Sequence, residues 1–223
     1  MRLSRKATLL LMVIAAGSMI GCTQGELAGL PIHELDLGSR SPVAGPRRAA
    51  GVPVEQPVRG AREWHYIVIH HSATAGGNAD VFDRLHRSPR FGFDELGYHF
   101  VITNGDGGTD GQVEVGPRWV KQKWGAHTGG TPGNEYNNCG IGVCLVGDFS
   151  THMPTEAQLA SLRRLVLQLS AAYSIPPQNI IAHRDAPNAS TQCPGDTLHS
   201  YLATFRDDVG RYVVAARTPS PMK

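Results

Sequence analysis

The stretch YIVIHH (66–71) decides how the chain folds. Its apolar residues run without interruption, the pattern of a strand covered on both faces rather than the alternation of a half-solvated one. GIGVCLVG (140–147) and NIIAH (179–183) repeat the pattern. Between the first two lie DVFDRLHR (80–87), read as a short helix stopped by Ser88-Pro89, and a hairpin of YHFVIT (98–103) and QVEVG (112–116) around NGDGGTDG. Thr155 opens the clearest helix, with Gln158 placed to complete a capping box and Leu159, Leu162, Val166 and Leu169 on one stripe; Pro176-Pro177 ends it. A closing helix is expected from Asp196 to Val213. Strands interleaved with helices predict an α/β domain, a mixed central β-sheet flanked by helices. The Asp-rich hairpin tip lacks the flanking helices and the closing glutamate of a calcium hand, so it reads as a turn.

The 223 residues suffice for one domain with a buried core plus accessory segments. A formal net charge of +2 gives no electrostatic reason to expect a nucleic-acid partner. At the start, Arg2, Arg5 and Lys6 precede an apolar run, Ala7 to Ile20, ending in Gly21-Cys22. This is the layout of a signal peptide (1–22), and the run is short for a membrane span, which needs about 20 apolar residues. MIGC (19–22) resembles a bacterial lipobox, which implies lipidation of Cys22. The expected location is the cell envelope, at the periplasmic face of the outer membrane in a Gram-negative cell because Thr23 follows the cysteine; simple secretion is the alternative. Residues 23–62, rich in Pro, Gly, Ala and Arg, read as a flexible tether, 63–213 as the folded domain and 214–223 as a disordered tail.

With Cys22 lipidated, Cys139, Cys144 and Cys193 remain, an odd number for an oxidising compartment. A strand between Cys139 and Cys144 would hold their Cα atoms about 16 Å apart. A disulfide requires about 4.4–6.8 Å, so that bond is not expected. Cys144 then reads as a small buried hydrophobe. Cys193 stands alone in IIAHRDAPNASTQCPGD (180–196), ten positions after His183. His70, His71 and His183 end apolar strands, where open α/β sheets carry their sites. Two imidazoles and one thiolate from dispersed segments are a catalytic zinc pattern, with a fourth position left for water. Hydrogen-bonded histidines beside a buried free thiol would give the same spacing, and the residues alone leave both readings open.

IVIHHSAT (67–74), ELGYHFVI (95–102), WGAHTGG (124–130), GIGVCLVG (140–147) and AHRD…TQCPG (182–195) occur in this order. Together they resemble the zinc amidases shared by peptidoglycan recognition proteins and bacteriophage lysozyme-type amidases, over about residues 63–212. The resemblance implies that single-domain fold and an N-acetylmuramoyl-L-alanine amidase, which cuts the amide between muramic acid and the stem peptide's L-alanine. It implies one Zn2+ held by His70, His183 and Cys193, with His71 not a ligand. It implies Tyr98 and Thr191 as catalytic residues and His127 as a substrate contact. Thr191 stands where phage enzymes carry lysine and recognition proteins often threonine; as a neutral donor it supplies no charge. Cytoplasmic anhydro-muropeptide amidases carry Asp at the Cys193 position and look less similar. Non-catalytic recognition proteins typically lose that cysteine, so the retained ligand set implies an enzyme.

The expected partners are peptidoglycan or muropeptides and, through the lipid, a membrane; the domain is expected to act as a monomer. The alternatives are a peptidoglycan-binding module that does not cut, and a disulfide-stabilised secreted domain without metal. Trp64, Trp119 and Trp124 suit either sugar contact or core. His65, His86, His99, His152 and His199 read as structural or surface residues.

Overall fold

Strand β1 (Tyr66–His71) lies inside the sheet, paired in parallel with β4 (Gly140–Leu145) on one side and β5 (Ile180–Ala182) on the other. β2 (Phe100–Ile102) pairs parallel to β4 and antiparallel to the edge strand β3 (Val113–Val115), giving the order β3-β2-β4-β1-β5. The sheet is therefore mixed, as the interleaved pattern required. The computed structural model describes residues 62–217. The expected leader with Cys22, the expected tether up to residue 61 and residues 218–223 lie outside them. Among the described residues no helix is long and apolar enough to cross a membrane.

The uninterrupted apolar strands are covered on both faces. Ile67, Ile69, Ile141, Val143, Phe100 and Ile102 meet the long helices α4 (Glu156–Tyr173) and α5 (Asp196–Arg217). α4 inserts Leu162, Leu165, Val166 and Leu169, and α5 inserts Leu198, Leu202, Phe205 and Val209. Each such side chain, fully buried, contributes about 1.5–3 kcal/mol. Leu165 replaces Leu159 of the expected stripe, because Leu159 lies in the first turn and is only half-buried. On the opposite face Val101, Cys144 and Val146 pack with Leu96, Tyr98 and Phe82 of α1 (Ala79–Arg87).

Local signals act as chemistry dictates. The Asn78 side chain caps α1 by accepting from Val81 N, and Thr155 with Gln158 closes a full capping box on α4. α4 ends earlier than the prolines, at Ser174 in the left-handed conformation. α5 continues to Arg217, so residues 214–217 are helix rather than tail. Two short helices, α2 (Pro117–Val120) and α3 (Glu135–Asn138), had no periodic signal. Cys139, Cys144 and Cys193 are all free thiols, which removes the disulfide-stabilised alternative for these residues.

Candidate metal centre

Parallel pairing of β1 with β5 builds the centre. Val68 pairs with Ile181 and Ile69 with Ala182, so His70 and His183 come next in line at the same edge, their rings 4.6 Å apart. This is the C-terminal edge of the parallel strands, where such sheets place their sites. Cys193 reaches the same point on the loop before α5. Arg184 N donates to Cys193 O (2.9 Å), and the Arg184 guanidinium holds both Gln192 O and Asp196 Oδ1. Gly195, at φ +89°, lets this loop run against Phe149; a Cβ there would meet the Phe149 backbone at 2.3 Å.

One ligand atom from each of His70, His183 and Cys193 lies within 4.8 Å of the others, and all three residues are buried. The Cys193 sulfur is 3.7 Å from His70 Nδ1. Tetrahedral zinc, with Zn–N near 2.0–2.1 Å and Zn–S near 2.3 Å, needs N and S about 3.6 Å apart, so the spacing fits. Burial holds the His70 pKa well below its ordinary value and that of His183 at about 4, so both imidazoles are neutral and offer lone pairs. Burial pushes the Cys193 thiol up to about 12, offset in part by the His71 N–H, which donates to the sulfur at 3.4 Å. A divalent cation is the natural counter-charge for a thiolate in this setting.

His71 turns the other way: its Nδ1 accepts from Phe149 N (3.4 Å) and faces Asp148, which separates it from the ligand set. Tyr98 packs its ring 5.2 Å from that of His70. Burial and the neighbouring Cys144 and Cys193 sulfurs raise its hydroxyl pKa well above the ordinary value, so it keeps its proton. Thr191 is half-buried and its hydroxyl accepts from Cys193 N at 3.1 Å. His127 is not on an open cleft wall. It is 1% exposed, behind His70, with His127 Nδ1 3.1 Å from His70 Nε2. The residue expected to contact substrate thus packs in this structure against His70. Trp64 and Trp119 are core residues with stacked rings, whereas Trp124 is exposed between Arg62 and Lys123. His86 and His99 are buried structural histidines.

The chain belongs to the N-acetylmuramoyl-L-alanine amidase family. The family so described matches residues 60–196, more than half of the sequence. Curated relatives include N-acetylmuramoyl-L-alanine amidase of Sus scrofa, 29% identical over 73% of this chain and 26% of that protein. Peptidoglycan-recognition protein 2 of Holotrichia diomphalia is 35% identical over 42% of this chain and 48% of that protein. The chain thus spans about a quarter of the mammalian relatives it matches. Among solved structures, the amidase LysC from Clostridium intestinale superposes with a TM-score of 0.53 at 25% identity, over 69% of this chain and 87% of that one. Bumblebee PGRP-SA gives 0.52 at 25% identity, over 63% and 81%. The fold is that of the amidases and recognition proteins of this family.

Some supporting residues carried no sequence signal. Arg118, 2% exposed, donates to Leu96 O (2.7 Å), Trp124 O (2.8 Å) and Asp94, and so anchors the loop that delivers Tyr98. Asn137 Oδ1 accepts from both His127 N and Thr128 N.

Proposed function

We propose that the domain is a zinc-dependent amidase that hydrolyses the bond between N-acetylmuramic acid and L-alanine in peptidoglycan. The observation that carries this reading is the convergence of His70, His183 and Cys193 at the sheet edge, with a protonated tyrosine packed against His70. Family membership supplies the substrate class. The retained Cys193 favours hydrolysis over recognition alone. His70, His183 and Cys193 would hold the zinc, which would supply Lewis-acid activation of the carbonyl and of the attacking water.

The protein's own groups do the rest. His70 and His183 bring no charge and Cys193 brings one negative charge, so the loaded centre keeps a net positive charge suited to a developing oxyanion. The His71 N–H steadies the thiolate. Tyr98 holds its proton and donates it in a hydrogen bond to the carbonyl oxygen as negative charge grows there. Losing one such donor typically costs about 2.7–4 kcal/mol of barrier. Thr191, whose hydroxyl accepts from Cys193 N, steadies the loop that carries Cys193 and offers a second hydroxyl donor. We further propose that the domain acts as a monomer in the cell envelope, held by lipid on Cys22, at the periplasmic face of the outer membrane in a Gram-negative cell, or else secreted.

Digestion of purified cell wall, with and without a chelator, tests the proposal. Metal-dependent release of free stem peptides supports it. Wall binding without release would convert the assignment to a recognition module.

A further inference from the structure

His127 is held with more care than a filler residue requires. Its backbone N–H is fixed by Asn137 Oδ1 at 2.8 Å, and its ring fills a slot made by two glycines from different segments. A Cβ at Gly125 would stand 2.3 Å from His127 Cδ2, and one at Gly142 would stand 2.4 Å from the same atom. Side chains are absent at both positions, and the imidazole occupies the space.

The atoms it meets set its tautomer. His127 Nε2 faces the Gly140 carbonyl at 3.2 Å. A carbonyl only accepts, so Nε2 carries the proton. The ring is 1% exposed, and the groups it meets are the Gly140 carbonyl, the Thr128 hydroxyl and His70, with no carboxylate to hold a second proton on it. The lone pair is then on Nδ1, 3.1 Å from His70 Nε2, with the Thr128 hydroxyl sharing it at 2.8 Å. Two ring lone pairs cannot face each other at that distance, so His70 Nε2 must carry the donor proton. A neutral imidazole has one such proton. His70 Nδ1 is consequently bare, and it is this atom that lies 3.7 Å from the Cys193 sulfur.

We propose that His127 is a positioning residue for the metal centre: through the relay Gly140 O, His127, His70 it fixes the tautomer of His70 that presents Nδ1 to the ion. The proposal rests on the zinc reading above and adds a role for a histidine that touches neither ion nor substrate. Partners that orient a ligand histidine typically contribute 10–100-fold in metal affinity.

The test compares zinc dissociation constants, by chelator competition, of the wild-type protein, His127→Phe and His127→Asn, the fold of each monitored by circular dichroism. Phenylalanine fills the slot without an acceptor. Asparagine puts a carbonyl oxygen about where Nδ1 stands. The expected result is about 10–100-fold weaker binding for His127→Phe and a return to within a few-fold of wild type for His127→Asn. Wild-type affinity in a folded His127→Phe protein would overturn the proposal, as would equal loss in both variants. Should the phenylalanine variant not fold, long-range 15N–1H spectra of the zinc-loaded wild type decide: protonated Nε2 on both His70 and His127 supports the relay, and His70 protonated at Nδ1 sinks it. A wild-type protein that binds no zinc refutes the zinc reading itself, a separate and distinguishable failure.

Discussion

Zinc binding to this centre should release one proton and no more. The ligand form of cysteine is the thiolate, and burial pushes the Cys193 thiol up to about 12. At neutral pH that proton is present and must leave. The imidazoles contribute none: burial holds His183 at about 4 and His70 well below its ordinary 6.5, so both are already neutral when the metal binds near neutral pH. The apparent association constant should therefore rise about tenfold per pH unit between about pH 5 and pH 8, a gain of about 1.4 kcal/mol per unit. If the imidazoles had ordinary, solvated values, each would add a proton below about pH 6.5, and the dependence there would steepen toward a thousandfold per unit. Competition against a chelator of known protonation, at several pH values, measures the slope. Calorimetry in buffers of different ionisation enthalpy counts the proton directly. A flat profile would mean the thiolate exists before the metal arrives. A slope near three would mean the histidines are not desolvated as described. Either result refutes the reasoning.

The metal-free protein should lose stability in mild acid. Burial holds His86 and His99 at about 4 against an ordinary 6.5. The unfolded chain therefore binds protons at these sites below about pH 6.5 while the folded one does not, which favours unfolding increasingly down to about pH 4; each contributes up to ~3 kcal/mol of loss. Denaturant unfolding across that range checks it, and constant stability would contradict it. Cys193→Ser should retain the fold by circular dichroism but lose most bound zinc and activity; full zinc occupancy would remove the sulfur from the ligand set. Tyr98→Phe should bind zinc normally and turn over muropeptide about 10²–10³-fold more slowly, so an unchanged rate would reduce the tyrosine to a packing role. Gly195→Ala should destabilise the ligand loop by roughly 2 kcal/mol or more, because the new methyl meets the Phe149 backbone at a left-handed position; a wild-type melting temperature would show that the loop yields.

What could be read from the sequence depended on how far apart the deciding residues lie. Double-sided burial leaves a continuous apolar run in one strand, and a cap is settled by residues three apart, so β1, β4, α1 and the start of α4 were legible. The candidate ligand set was half legible. Histidines at strand ends and a solitary thiol suggested a metal, but periodicity could not separate His70 from His71. The family resemblance assigned the ligand role to His70, and the structure adds the physical reason: His71 turns to Phe149 and Asp148. Arg118 left no trace, since its partners are chiefly backbone carbonyls of residues 96 and 124, and a carbonyl has no sequence identity. The slot around His127 needs Gly125 and Gly142 together, and they meet only after the sheet has formed. The same dependence makes the metal a reporter of that sheet. His70 and His183 stand side by side because Ile69 pairs with Ala182. A slip of one residue in β5 would turn His183 to the opposite face, where α4 and α5 pack. Two of the three proposed ligands would then lie on different sides of the sheet, so tight zinc binding is expected only of a chain whose β1–β5 register is correct.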